Sequence, residues 1–178
     1  MIDKINEMAE EMHENAVNHG FWNVEDVQAV SIGMLHCELS EALQAERSRL
    51  PMFDYQEGKG KPEGVAVELA DFVIRLMDWA AGNSVTISDK TQRVPVYKSL
   101  VRMVNELHGC ITQIGCAASH MMCTGNPEDV KKLQGVMISN AIESVEQFLK
   151  GKSVDLWAVV KAKMDYNRSR PFLHGKAY

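Results

Sequence analysis

No stretch of this 178-residue chain is apolar for long enough to cross a bilayer as a helix, so a membrane-spanning role is not expected. Basic residues are not in excess. Lys and Arg number 19 against 24 Asp and Glu, a net charge of −5, whereas a dedicated nucleic-acid binder carries a basic stripe. Neither a membrane nor a nucleic acid is therefore the expected partner. Cysteine is sparse, and Cys37, Cys110, Cys116 and Cys123 form no C-x-x-C pair and no disulfide framework. Strand-like alternation is confined to "NSVTIS" (83–88), too short to build a sheet, and neither a repeat nor a low-complexity tract is present. The first residues, "MIDKINEMAEEMHE", are acidic and amphipathic, unlike a secretory signal, which makes the cytoplasm the expected location.

What remains is helical periodicity nearly throughout, with 46% hydrophobic residues and enough chain to bury a core without staples. A first helix is predicted over Asp3 to Asn18, ending at Gly20, which suits a C-terminal cap. Asn23 then reads as an N-cap, with Glu25 and Asp26 in the first turn of a second helix reaching Arg49. The Gly- and Pro-rich "LPMFDYQEGKGKPEG" is a loop, and a third helix runs from Pro62 to Ala81. A fourth is predicted from Pro95 to Cys123. A fifth starts at the Asn126 cap with Pro127 in its first turn and ends near Gly151. A sixth follows Ser153 and reaches Asn167. The expected fold is all-α, a bundle of about six helices in one domain over residues 1–178, with 84–151 an added long helical pair.

Two helices place acids where a core helix places leucines. On the second, Glu38 falls between Leu35 and Ala42 on the inner face, with Glu41 beside it. The third helix is apolar over most of its circumference, as a central helix must be, and its polar residues Glu68, Asp71, Arg75 and Asp78 form one narrow stripe. Glu68 and Asp71, three apart, project from one patch. Each stripe alone also reads as a solvated face. Glu38 resists that reading, because a buried carboxylate without a partner is too costly to keep ionised. Facing pairs of carboxylates repel unless a cation sits between them, and an all-oxygen donor set suits Mg²⁺ or Mn²⁺ better than zinc. Ions held in this way commonly serve phosphate chemistry.

An anionic substrate also needs cations from the protein. The last helix and its tail carry Lys161, Lys163, Arg168, Arg170 and Lys176, with Lys163 and Asn167 four apart on one face. The same residues read equally as a basic helix end complementing the dipole. In "HGFW" (19–22), Trp22 is a candidate for stacking on a nucleobase or for packing as a hydrophobic staple. Cys116, His120 and Cys123 share a helix face at i, i+4, i+7, a spacing that fits a soft metal or a helix–helix contact; three ligands with no fourth favour packing.

The ordered set E-x-x-E (Glu38 to Glu41), a loop, E-x-x-D (Glu68 to Asp71) and "KMDYNRSRP…HGK" near the end resembles the MazG-like all-α nucleoside triphosphate pyrophosphohydrolases. "GFW" and "VELADFVIRLMD" fit the same pattern. The resemblance covers Gly20 to Asp78 and Lys161 to Lys176, and leaves Ser84 to Gly151 outside it. It implies Mg²⁺-dependent hydrolysis of a (deoxy)nucleoside triphosphate to the monophosphate and pyrophosphate, by water attack at the α-phosphorus. It implies Glu38, Glu41, Glu68 and Asp71 as metal ligands, with one of the first pair, Glu41 by preference, also orienting the water. Lys163 and Asn167 would hold phosphate oxygens with help from Arg168 or Arg170, and the assembly would be a homodimer or homotetramer.

Two other classes compete. A ferritin-like di-iron oxidoreductase wants E-x-x-H on two helices, and only Glu10 to His13 supplies that spacing. A non-enzymatic helical adaptor would carry the acidic stripes as solvent faces and bind a protein through an apolar patch.

Overall fold

The apolar periodicity resolves into helices. In the computed structural model, which describes residues 2–57, 60–89, 94–120 and 126–175, they are α1 (Ile2–Asn18), α2 (Val27–Arg47), α3 (Val65–Gly82), α4 (Leu100–His120), α5 (Pro127–Lys150) and α6 (Leu156–Arg168). A two-residue antiparallel ribbon joins β1 (Asp54–Tyr55) to β2 (Pro62–Glu63), pairing Asp54 with Glu63 and Tyr55 with Pro62. A short 3₁₀ turn, Phe172–Gly175, follows α6.

Helix α3 is the axis of the bundle. Twelve of its 18 residues are buried, among them Leu69, Phe72, Leu76 and Trp79, so it must be enclosed by other elements. Burying one Phe or Leu of this kind contributes about 1.5–3 kcal/mol. Helices α1, α2, α5 and α6 all pack on α3, while α4 packs on α2 and α5. The added pair is thus part of the enclosure: α5 covers α3 directly and α4 backs α2.

Local chemistry sets most helix ends. Gly20, at φ +85°, closes α1 with a Schellman pattern: Phe21 N–H donates to Ala16 O at 3.1 Å and Gly20 N–H to Val17 O at 3.0 Å. The Asn126 side chain accepts from Glu128 N–H ahead of Pro127, and Asp155 accepts from Trp157 and Ala158 N–H. Helix α2 departs from expectation. It begins at Val27 rather than after Asn23, because Gly20 to Asp26 are spent in turns. Asn23 N–H donates to Gly20 O, and Asp26 adopts φ 52° with no side-chain cap. Helix α4 likewise starts at Leu100, not Pro95, its first turn closing on Ser99 O.

"NSVTIS" forms no strand, yet its alternation has a cause. Val85 and Ile87 point into the core, and Ile87 finds a side chain in place of a strand partner. Asn6 Nδ2 donates to Ile87 O and Ile87 N–H donates to Asn6 Oδ1, both at 2.9 Å.

The head of α3 is anchored by the preceding loop. Val65 and Ala66 N–H donate to Pro51 O and Met52 O, at 3.2 and 2.8 Å, satisfying donors that a helix start leaves open. Gly64 permits this approach: it sits at φ 122°, and a Cβ there would lie 2.5 Å from Pro51 O. Gly64→Ala is expected to cost about 2–3 kcal/mol, or roughly 5–10 °C in Tm. The same change at Gly33, exposed in α2 with open space around it, should stabilise by about 0.5–1 kcal/mol. Thermal denaturation monitored by circular dichroism checks the opposite signs.

Candidate functional site

Four helices line one cavity of about 200 Å³, α1 with Met12, Asn15 and Ala16 and the other three mainly with polar residues. Helix α2 supplies Glu38 and Glu41, and α3 supplies the whole stripe of Glu68, Asp71, Arg75 and Asp78. Helix α6 supplies Lys163 and Asn167, which are 4% and 7% exposed despite their polarity. Glu38 is buried, Glu68 and Asp71 are partly buried, and Glu41 stands at the exposed rim.

Glu38, Glu41 and Glu68 each place one oxygen so that all three lie within 4.8 Å of one another; among the described residues no other such group of three potential ligands occurs. Oxygens bound to one Mg²⁺ at about 2.1 Å are at most about 4.2 Å apart, a separation comparable to that of the three. Asp71 lines the same cavity close to Glu38 and Glu68, and Lys163 Nζ holds its Oδ2 at 2.6 Å. Arg75 Nε donates to Glu38 Oε1, also at 2.6 Å. Asn167 Oδ1 is buried without a hydrogen-bond partner, a polar atom on the cavity wall whose position would suit a donor from a bound ligand or its waters. The donor set and this orphaned atom fit a hard divalent ion.

Burial and crowding mark the carboxylates. Burial first, then the neighbouring Asp71 charge, pushes Glu38 up to about 7 in spite of Arg75. Burial and Asp71 likewise push Glu68 up to about 7, against Lys163 and Lys61. Asp78 is raised by burial, opposed by its hydrogen bonds from His13 and Trp22. On the opposite wall, burial and the cations Arg170, Arg75 and Lys163 hold His174 down to about 3, so its imidazole is neutral.

Three residues singled out from sequence lie elsewhere. Trp22 does not line the cavity: its indole N–H donates to Asp78 Oδ1 at 2.8 Å, its ring meets His13 edge-on, and it fills the space that Gly82 leaves. The neighbouring Phe21 lines the cavity instead. Arg168 pairs with Glu11 and Asp165 on the outer surface, whereas Arg170, beyond the helix end, lines the cavity. Lys161 is likewise engaged with Asp165 outside. Lys176 and Cys123 lie outside the described residues, as does the side chain of His120; Cys116 is exposed. Glu10 is exposed and His13 is held by Asp78, so the E-x-x-H spacing of α1 brings no ligand pair together.

Sequence reasoning did not single out several of the lining residues, among them Lys61, Arg75, Asp78, Phe21 and His174. Arg75 and Asp78 belong to the polar stripe of α3, a signal already visible. Phe21 and His174 fall within the "GFW" and "HGK" stretches of the sequence pattern, but their meeting at the cavity depends on two turns. Leu173 N–H donates to His19 O at 2.8 Å, Phe172 covers Gly20, and the His174 ring stands edge-on to Phe21 at 4.9 Å.

No family model matches this chain, and neither a curated protein nor a solved structure does.

The raised carboxylates make stability depend on pH in a defined direction. Glu38 binds its proton more tightly in the folded chain, with about 7 against an ordinary 4.5. Its contribution is full below pH 4.5, declines as pH rises through that window and is lost above about 7. In chelator, Glu38→Gln should therefore gain stability relative to the parent as pH rises from 5 to 8. Parallel melting curves across that range would remove Glu38 from the titrating set.

Proposed function

We propose that this chain hydrolyses a nucleoside or deoxynucleoside triphosphate to the monophosphate and pyrophosphate, with Mg²⁺ as cofactor and Mn²⁺ able to replace it. One observation carries the reading: the carboxylate trio of Glu38, Glu41 and Glu68 shares a single cavity with Lys163, Asn167, Arg170 and Arg75. Carboxylates alone are common on surfaces, and cations alone bind any anion. The two sets together suit an anionic substrate that arrives with a divalent ion. The motif order resembling the MazG-like pyrophosphohydrolases points the same way.

Glu38, Glu41 and Glu68 would hold the ion, with Asp71 joining when Lys163 releases it. When bound, such an ion neutralises charge developing on phosphoryl oxygens and lowers the pKa of a coordinated water. Glu41, at the solvent-facing rim, would orient the attacking water and accept its proton. The water oxygen forms a bond to the α-phosphorus while the bond from that phosphorus to the bridging oxygen breaks, and pyrophosphate leaves with the electron pair. Lys163 and Arg170 would hold the substrate's phosphate oxygens, and the amide of Asn167 would hydrogen-bond another of them. Phe21 and neutral His174, with Met12, Asn15, Ala16 and Ile74, form a non-ionic part of the wall that would accommodate a nucleoside rather than a phosphate. The resemblance extends to assembly as a homodimer or homotetramer and to a cytoplasmic setting.

A panel of nucleoside and deoxynucleoside triphosphates, incubated with Mg²⁺ or Mn²⁺, tests the reading through its products. Monophosphate with pyrophosphate is expected from at least one member; orthophosphate, or no turnover of any, overturns it. Glu41→Gln and Asp71→Asn should each lower kcat at least about 100-fold with the helical signal intact. Lys163→Ala should act mainly on KM.

A further inference from the structure

Two cations already occupy the carboxylates that an ion would need. Arg75 reaches Glu38 from α3 and Lys163 reaches Asp71 from α6, each at 2.6 Å, and both line the cavity where the substrate is placed. Glu38 and Lys163 side chains are only 6% exposed, so neither charge is left to solvent, whereas Arg75 is 29% exposed and its guanidinium lies over the Phe21 ring at 5.7 Å. A guanidinium carries five donors, and among the described residues the carboxylate takes only its Nε. Asn167 Oδ1, buried and unpartnered beside Lys163 on α6, marks the same space as one that awaits a ligand.

Building on the metal-dependent reading above, we infer that Arg75 and Lys163 are exchangeable counter-ions. They hold Glu38 and Asp71 while no divalent ion is bound, and pass to the oxyanions of a polyphosphate once the ion takes those carboxylates. The exchange makes each residue a competitor of the cation and a ligand of the anion. Removing either should tighten metal binding and weaken anion binding. A residue that merely supports the fold would weaken both.

The experiment measures Mn²⁺ binding to the full chain at pH 8 without nucleotide, by electron paramagnetic resonance of free Mn²⁺, alongside melting curves in chelator and in saturating Mn²⁺. Arg75→Gln should bind Mn²⁺ about tenfold more tightly, the low end of what one adjacent opposite charge does to a carboxylate's proton affinity. Its Tm should fall below the parent's in chelator and match it in Mn²⁺, and Arg75→Lys should restore the parent affinity. Lys163→Gln should behave as Arg75→Gln does. Unchanged or weaker Mn²⁺ binding by folded variants overturns the exchange, as does a Tm deficit that Mn²⁺ leaves untouched. A parent chain that binds no Mn²⁺ overturns both the exchange and the proposed function. Tighter binding in the variants, with no triphosphate hydrolysed by the parent, sinks the proposed function alone and leaves the exchange standing.

Discussion

Glu38 is buried against the most apolar helix of the protein, and its carboxylate has to be neutralised there. A carboxylate in such a place remains ionised only with a partner, and otherwise holds its proton to higher pH. Arg75 supplies the partner from α3, one turn beyond Asp71, and Lys163 does the same for Asp71 from α6. These two ion pairs dictate how three helices meet. Sliding α2 along α3 by one turn would set Glu38 opposite another carboxylate, Asp71 or Asp78, in place of Arg75. The polar stripe of α3 is then a seam with fixed partners, and its apolar remainder is free to be enclosed by α1, α5 and the outer face of the core.

The same seam extends past the ion pairs. At its far end Asp78 takes hydrogen bonds from His13 on α1 and Trp22 in the α1–α2 turn, both at 2.8 Å. That contact explains why the turn holds its shape without a capped α2: Trp22 is anchored by its indole, and Phe21, on the other side of the backbone, faces the cavity. The turn in its turn receives the chain end. Leu173 and His174 adopt φ of 48° and 51°, which L-residues seldom do, and the bonds from Leu173 N–H to His19 O and from His174 N–H to Pro171 O hold them there. The cavity wall is therefore assembled from segments distant in sequence, each held by a contact to the next.

How much of this was legible in the sequence follows from which forces are local. The enclosure of α3 was, because an apolar residue at nearly every position leaves a helix no exposed side to choose. The caps at Gly20 and Asn126 were, because they satisfy backbone groups within a few residues. The start of α2 was not: Asn23 has the chemistry of a cap, but a turn bonded to Gly20 and a tryptophan anchored on α3 outweigh it. Lys163 and Asn167 were legible as a pair through their spacing of four. Arg168 is one residue further round the helix, on the side of α1 and Glu11, and Arg170 returns to the cavity only because the helix has ended. Arg75 and Asp78 were visible as polar residues on an apolar helix, but their roles depend on what α2 and α1 place opposite them, which no local pattern encodes.

On the proposed function, the balance of charge in the cavity supplies a physical basis for selectivity. Glu38, Glu41, Glu68, Asp71 and Asp78 line it, against Lys61, Arg75, Lys163 and Arg170, while His174 stays neutral. Five acids and four bases nearly cancel, so the site offers no strong net field to a bare ion of either sign. On the proposed exchange, a divalent cation entering alone would displace Arg75 and Lys163 and leave two positive charges, that of Lys163 buried, without partners. A polyphosphate entering alone meets carboxylates. Each ligand removes the penalty that the other incurs, and by linkage the benefit is reciprocal. On the proposed reading, the cavity favours a polyphosphate carrying its divalent ion over either component. That preference is set by the arrangement of ion pairs on α2, α3 and α6 before any nucleobase is contacted.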